Sequence, residues 1–218
     1  MTLLKVLLDA IRAAKEYVLD NLETATDRTG DKNRYGDQTL VLDLRAENEI
    51  IRILNESGTS FSFLTEEQGF MKPDSIPEYL AIIDPIDGSS NIERKIPLCT
   101  SGVSVIPYKE LMKTSDVEIS VIDSLFTKET YVAVKGKGVT RNGRKVQVSK
   151  HTDIKDAIVS YDTNRLWNKE FADSSIRVID SVKDIRRTAS NILDLCWTAS
   201  GSLEAMIDMR GLLPIMHV

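Results

Sequence analysis

Two short apolar runs that each end in acidic residues constrain the fold of this chain more than any other feature. Residues 61–64 and 79–83 have the length and composition of buried β-strands. Glu66 follows the first run, and Asp84 and Asp87 follow the second. Open sheets place ligands at strand ends, so we expect these three carboxylates to meet. Because hard divalent cations take several carboxylate oxygens, the pattern predicts a Mg²⁺ site at the end of a sheet.

The segment from residue 84 to residue 91, Asp-Pro-Ile-Asp-Gly-Ser-Ser-Asn, combines metal ligands with a phosphate cradle. Pro85 fixes φ and removes an N–H donor, so the turn can direct Asp84 and Asp87 at one centre. Gly88 allows the backbone to approach a ligand, and the three residues after it predict a first helical turn with free N–H groups. Metal-assisted phosphate hydrolysis needs this layout. An acidic turn that only caps a helix has the same spacing, so both interpretations stay open here.

The remainder of the chain predicts helices, then a mostly antiparallel sheet, then a mixed α/β portion. Helical periodicity and turn residues predict two early helices and a polar loop between them, at residues 3–22, 43–57 and 24–38. Further strands are expected at residues 101–107, 118–125, 130–135, 157–161, 203–207 and 212–216, with a hairpin turn at Asn142-Gly143 and a buried helix at 187–200. This order predicts a layered α+β fold with two closely packed halves, residues 1–150 and 151–218.

Composition excludes several classes of protein. The net charge of −5 argues against a nucleic-acid protein with a broad basic surface. The two cysteines, Cys99 and Cys196, form no C-x-x-C pair, so we expect no cysteine zinc site and a reducing, cytoplasmic environment. Charged residues interrupt the apolar start of the chain, and no run of 18 apolar residues occurs, so neither a signal peptide nor a membrane span is expected.

Four segments, in order, resemble the motifs of the inositol monophosphatase and archaeal fructose-1,6-bisphosphatase family. They are residues 65–69, 84–91, 136–149 and 185–201. The resemblance covers most of the chain. It implies a layered α/β/α/β/α sandwich, usually dimeric, that hydrolyses small sugar or polyol phosphates such as inositol monophosphate, fructose 1,6-bisphosphate or both. It also implies two or three Mg²⁺ ions in each active site, with Mn²⁺ as an alternative.

The same resemblance implies the ligands of two metal ions. Glu66 and Asp84 would share the first ion with the carbonyl oxygen of Ile86, and Asp84 and Asp87 would hold the second. A gapless alignment places His217 where the family has an aspartate, which makes it a candidate ligand that suits Mn²⁺ better than Mg²⁺. Relatives continue beyond this point with further elements, so we expect an incomplete last layer.

The resemblance further implies residues that act on water, phosphate and substrate. The catalytic group, which activates and orients the attacking water, comprises Asp43, Glu66 and Ser89. The phosphate-binding group comprises Gly88, Ser89 and Ser90. The pocket for the alcohol portion comprises Ala189, Ser190, Asn191 and Arg210.

Two alternative functions stay open at this point. A phosphatase acting on 3′-phosphoadenosine 5′-phosphate would need a base pocket, and no segment of the sequence identifies one. A catalytically impaired relative that binds another macromolecule is favoured by the lost aspartate at position 217 and opposed by the retained Glu66, Asp84 and Asp87. Arg187 lies in a basic pair that could contact a second substrate phosphate or begin a solvated helix.

Overall fold

The computed structural model describes residues 1–33, 38–73, 75–162 and 168–208. Arg210, His217 and the strand expected at 212–216 lie outside the described residues. No helix within the described ranges is both long and apolar enough to cross a bilayer.

Two helices form the first layer of the fold. Helix α1 spans Leu3–Asp20 and helix α2 spans Val41–Glu56, each within two residues of the predicted bounds. Thr2 caps α1 by accepting a hydrogen bond from the Lys5 N–H, which satisfies a donor that the helix leaves unpaired. The apolar stripes of both helices face the main core, as their periodicity predicts.

The polar segment between these helices contains more structure than predicted. After a 3₁₀ turn at Leu22–Thr24, strands β1 (Arg28–Lys32) and β2 (Gln38–Leu40) pair as an antiparallel ribbon. The expectation of a loop over 24–38 is therefore wrong for these strands. Most residues of β1 are exposed and polar, so the segment carries no apolar alternation from which a strand could be predicted.

An eight-stranded sheet forms the second layer. Its strands are β3 (Phe61–Thr65), β4 (Gly69–Met71), β5 (Tyr79–Asp87), β6 (Thr100–Pro107), β7 (Ile119–Ser124), β8 (Thr130–Val134), β9 (Gly138–Arg141) and β10 (Arg144–Lys145). The spatial order is β10-β9-β8-β7-β6-β5-β3-β4, and β3 and β5 run parallel while the other neighbours are antiparallel. The predicted turn between β9 and β10 is confirmed, with positive φ angles of 51° at Asn142 and 75° at Gly143.

A smaller sheet and three further helices complete the fold. Strands β11 (Ile158–Asp162), β12 (Asp184–Arg186) and β13 (Ala205–Asp208) form a parallel sheet in the order β12-β11-β13. Helix α3 (Ser89–Glu93) follows β5, helix α4 (Lys169–Ser181) follows β11, and helix α5 (Asn191–Ala199) follows β12. Shorter 3₁₀ turns lie at Thr114–Asp116 and Ile154–Asp156.

Two consecutive side chains of β11, which point to opposite faces of the small sheet, show how the helices pack on it. The Ser160 hydroxyl donates to Asp194 of α5, whereas the Tyr161 hydroxyl on the other face contacts Ser175 of α4. Helix α5 also packs on the eight-stranded sheet, where Ile192 joins a cluster with Ile122. The layers are therefore α1 and α2, the large sheet, α5, the small sheet and α4, which confirms the predicted α/β/α/β/α sandwich. The division into halves near residue 150 stays a prediction.

The predicted helix over 187–200 begins later than expected. Residues 184–186 belong to β12, and Ala189 has a φ of 60°, which no helix accommodates. Helix α4 was not predicted, although Ala172, Ile176 and Ile179 recur at helical spacing along it.

Candidate active site

A cavity of about 620 Å³ opens where the N-terminus of α2, the end of β5 and the segment before α5 meet. Ten of the residues that the sequence and the resemblance pointed to line it: Asp43, Glu66, Asp84, Ile86, Asp87, Gly88, Ser89, Ser90, Ala189 and Asn191. Residues from both ends of the described chain therefore contribute to one site.

A bulge in β5 directs two of the acids to the same side. Asp84 pairs with Gly102 of β6, and Asp87 pairs with Thr100, so three steps along β5 match two along β6. In a regular strand, residues three positions apart face opposite sides of the sheet. The additional residue in β5 reverses this alternation, so both carboxylates reach the cavity. The expectation that the strand ends before Asp84 is therefore wrong, because β5 continues through the bulge to Asp87.

Gly88 connects β5 to α3 in a conformation that excludes a side chain. Its φ is 104°, and a Cβ atom there would lie 2.9 Å from the carbonyl oxygen of Leu98. The buried Asn91 amide donates to the carbonyl oxygens of Leu98 and Thr188, at 2.7 Å each. These bonds attach α3 to the segment before α5 and hold Ser89 and Ser90 at the cavity wall.

Ser89 and Asp43 form a hydrogen-bonded pair inside the cavity. The Ser89 hydroxyl lies 2.9 Å from Oδ2 of Asp43 and 3.2 Å from the carbonyl oxygen of Ile86. Burial, reinforced by the charges of Glu67 and Glu66, raises the pKa of Asp43 well above its usual range. The other oxygen of Asp43 is buried and has no hydrogen-bond partner among the described residues.

Glu66 and Asp84 line the cavity as a close pair of carboxyl groups. Burial raises the pKa of both carboxyl groups, and the charges of Glu66 and Asp87 raise that of Asp84 further. Two carboxyl groups in this arrangement share a proton when no cation is present. Oδ1 of Asp84 is buried without a hydrogen-bond partner in the part of the chain that the structure describes. These features fit a hard divalent cation. The cation would replace the proton between the two carboxyl groups and bind Oδ1 of Asp84.

Asp87 is directed toward α5 rather than toward this pair. Its Oδ2 accepts hydrogen bonds from the Ser190 hydroxyl at 2.6 Å and from the Ile192 N–H at 2.7 Å, with the Thr100 hydroxyl at 3.4 Å. As the side chains are placed, no group of three His, Cys, Asp or Glu residues within the described ranges could hold one metal ion. The role of Asp87 in a second metal site therefore stays a prediction.

Ser190 does not line the cavity. It is fully buried beneath the cavity and contacts Asp87, although the resemblance placed it in the substrate pocket. Arg210 and His217, the remaining residues implied at the site, lie outside the described residues.

The structure adds an ion pair on the substrate side that sequence reasoning identified only in part. The Arg187 guanidinium lies 2.9 Å from Oδ1 of Asp162, and both residues line the cavity. Its neighbour Arg186 instead pairs with Asp184, outside the cavity. Asp162 directly follows the strand predicted at 157–161, so the strand-end argument applied to Glu66 could have found it.

Comparisons with known proteins identify a family for this chain. The sequence profile of the inositol monophosphatase family matches residues 1–216. The chain is 31% identical to a bifunctional NADP phosphatase/NAD kinase of Methanococcus maripaludis over 80% of its length and 33% of the relative. It is 28% identical to a fructose-1,6-bisphosphatase/inositol-1-monophosphatase of Methanothermobacter thermautotrophicus, covering 84% of this chain and 66% of that protein. It is 26% identical to the Nus factor SuhB of Haemophilus influenzae, covering 95% and 76%.

Solved structures share the fold. The crystal structure of the MJ0109 gene product, an inositol monophosphatase-fructose 1,6-bisphosphatase, superposes with a TM-score of 0.81 at 24% identity, covering 100% of this chain and 80% of the other. The suhB protein of Bartonella henselae superposes with a TM-score of 0.78 at 24% identity, covering 92% and 75%. This chain spans one third of the NADP phosphatase/NAD kinase and about two thirds of the bisphosphatase relative. From the profile match along nearly its whole length, this chain belongs to the inositol monophosphatase family.

Proposed function

We propose that this protein is a Mg²⁺-dependent phosphatase that hydrolyses inositol monophosphate, fructose 1,6-bisphosphate or both. The observation that carries the proposal is the hydrogen bond between Ser89 and Asp43, which lies in one cavity with the paired carboxyl groups of Glu66 and Asp84. The relative named fructose-1,6-bisphosphatase/inositol-1-monophosphatase supports this choice of substrates.

Ser89 is suited to orient a water molecule. Its proton is directed to Asp43 and to the carbonyl oxygen of Ile86, so its oxygen is left as an acceptor for a proton of the water. No histidine or lysine within the described ranges hydrogen-bonds to Ser89, and its proton acceptor is the Asp43 carboxylate. In the proposed mechanism this pair accepts a proton from the water that attacks the phosphorus atom, and Ser89 itself forms no bond to phosphorus.

Glu66 and Asp84 would hold the metal ion by giving up the proton between them. Bound Mg²⁺ supplies a positive charge that stabilises phosphate oxygens and lowers the pKa of a coordinated water. The proposal includes a second ion at Asp84 and Asp87, with His217 as a candidate ligand. Mn²⁺ is the alternative cofactor, because imidazole suits it better than Mg²⁺.

Different walls of the cavity would bind different parts of the substrate. Gly88, Ser89 and Ser90 lie where backbone N–H groups at the start of α3 can bind phosphate. Arg187 lies on the wall with Ala189 and is suited to a second phosphate, because a guanidinium binds phosphate through two N–H groups. One pocket could therefore accept both a monophosphate and a bisphosphate.

The two alternative functions receive less support. A nucleotide substrate is suggested by the NADP phosphatase/NAD kinase relative, but none of the described residues lining the cavity is an aromatic side chain on which a base could stack. A binding role without catalysis is suggested by the Nus factor relative, but Asp43, Glu66 and Ser89 retain the arrangement that catalysis needs. We also propose that the protein is cytoplasmic and forms a homodimer. Gel filtration of the purified protein tests the dimer.

The test combines metal titration with a panel of phosphate esters. Turnover of inositol 1-phosphate, fructose 1,6-bisphosphate, NADP and 3′-phosphoadenosine 5′-phosphate is measured against Mg²⁺ concentration. Melting temperatures of wild type and Asp84→Asn are compared in EDTA and in Mg²⁺. We expect Mg²⁺ to raise the melting temperature of the wild type by mass action. This increase should be much smaller in Asp84→Asn. Release of phosphate from none of the esters, or an undiminished Mg²⁺ shift in Asp84→Asn, overturns the proposal.

A further inference from the structure

Helix α2 presents two buried acids, one helical turn apart, to the same side of the fold. Asp43 and Glu47 are 2% and 0% exposed, respectively. Residues four positions apart lie one above the other on a helix face. Asp43 reaches Ser89 in the cavity, whereas Glu47 lies outside the cavity lining.

Glu47 holds the turn that carries Glu66. Its Oε2 accepts a hydrogen bond from the backbone N–H of Glu67 at 3.1 Å, and its Oε1 accepts one from the side-chain amide of Gln68 at 2.9 Å. These two residues directly follow Glu66, whose own N–H donates to the carbonyl oxygen of Ile83 at 3.3 Å. The turn is therefore attached to β5 through the N–H of Glu66 and to α2 through Glu67 and Gln68.

A packing role alone does not explain a carboxylate at this position. Burying a charged group costs free energy unless hydrogen bonds compensate for the lost water. An ionised carboxylate offers acceptors only, and the Glu67 N–H and the Gln68 amide that bond to Glu47 are donors. An amide at position 47 would accept from one of them and turn an N–H group toward the other.

We infer that Glu47 is a positioning residue that sets the affinity of the metal site by fixing the turn behind Glu66. The inference rests on the proposed metal-dependent function. Glu47 does not touch the metal, the substrate or the water. It restricts the positions of the Glu66 carboxylate relative to Asp84, so that binding a cation does not require the turn to be ordered first.

The test measures metal binding directly, without substrate. Mn²⁺ is the probe, and its dissociation constant for the free protein is measured by electron paramagnetic resonance and by calorimetry. We expect Glu47→Gln to raise this constant at least tenfold. The KM for substrate at saturating metal should change less than about twofold, because the substitution leaves the residues that bind phosphate unchanged. Glu49→Gln is the matched control, since Glu49 lies on the same helix and pairs with the exposed Arg52.

A reciprocal exchange separates positioning from general destabilisation. In the double variant Glu47→Gln/Gln68→Glu, the new amide can accept from the Glu67 N–H and donate to the new carboxylate, which restores both hydrogen bonds. We expect it to recover most of the Mn²⁺ affinity. Gln68→Ala keeps Glu47 in place and removes the side-chain donor to its Oε1, so it should fold and raise the dissociation constant about three- to tenfold.

The outcomes distinguish this inference from the function on which it rests. Equal Mn²⁺ affinities in wild type, Glu47→Gln and Gln68→Ala overturn the inference alone, even if the melting temperatures of the variants fall. Failure of the reciprocal exchange to recover affinity also overturns it. If the wild type itself binds no Mn²⁺, the proposed function fails, and the inference fails with it.

Discussion

Asp87 of β5 accepts a hydrogen bond from the backbone N–H of Ile192, 2.7 Å away, in the first turn of α5. Ser190 donates to the same carboxylate oxygen from the residue before the helix. A carboxylate at a helix N-terminus satisfies a donor that has no partner within the helix and interacts favourably with the helix dipole. The acidic side of the cavity and the substrate side are therefore joined through one side chain.

Ser190→Ala tests this connection. The change removes a hydrogen bond to a charged group in a fully buried place, which should lower the free energy of unfolding by about 2 kcal/mol. The melting temperature should fall by roughly 4–8 °C in a chain of this size. Ser200→Ala, at the other end of α5, is the control and should have little effect. Equal stability of the two variants would show that Asp87 does not depend on Ser190.

Ser89→Ala should slow turnover on the order of a hundredfold and leave the KM nearly unchanged, because Ser89 orients the water and not the substrate. Ser89→Thr keeps the hydroxyl and should retain most of the activity. Steady-state kinetics at saturating Mg²⁺ measure both variants. Detection of phosphoserine at position 89 by mass spectrometry of quenched reactions would contradict this prediction.

Asp194 gives the protein a pH-dependent stability away from the metal ligands. Burial raises the pKa of this carboxyl group to about 6, although the Ser160 hydroxyl donates to it. The folded state therefore holds this proton more tightly than the unfolded state does. Stability from this group is fully present below about pH 4 and is lost as the pH rises through about 6.

Asp194→Asn removes that loss. We expect the melting temperature of the variant, relative to wild type, to increase between pH 5 and pH 7. Asp180→Asn, on the exposed side of α4, is the control and should show no such trend. A pH-independent difference between Asp194→Asn and wild type would mean that the group is ionised at both pH values.

Arg187→Ala should discriminate between substrates. The KM for fructose 1,6-bisphosphate should rise about tenfold, and that for a monophosphate should rise much less, because the guanidinium that pairs with Asp162 lies on the cavity wall where a second phosphate would bind. Arg187→Lys should recover little, since an ammonium group cannot bind phosphate through a planar fork. Arg186→Ala is the neighbouring control, as its side chain pairs outside the cavity. Equal KM changes for both substrates would exclude Arg187 from recognition of a second phosphate.

Sequence reasoning located the acids but not the geometry that unites them. The apolar runs at β3 and β5 were evident because buried strands have a compositional signature. The bulge was not, because an extra residue in one strand shows only when the partner strand is aligned beside it. Metal-ligand candidates were thus identifiable from local sequence, whereas the shared orientation of Asp84 and Asp87 depended on a partner strand distant in sequence.

Contacts between elements distant in the chain account for the remaining differences. Glu47 has no motif of its own, and its role depends on the backbone N–H of Glu67, which approaches it only in the folded protein. The position of Asp162 could be predicted from its strand end, whereas its ion pair with Arg187 could not. The late start of α5 follows from the positive φ of Ala189, a residue whose type does not predict that conformation. Helix α4 is different, because Ala172, Ile176 and Ile179 recur at helical spacing and could have been recognised from the sequence.

The bulge in β5 makes the chemistry of this protein a question of parity. Asp84 and Asp87 are three residues apart and share a face only because one residue of β5 has no partner in β6. If the same residues paired regularly with β6, every acid would be present and the two carboxylates would still point to opposite sides of the sheet. Within this segment, the pairing of the backbone constrains function as strictly as the identity of the residues.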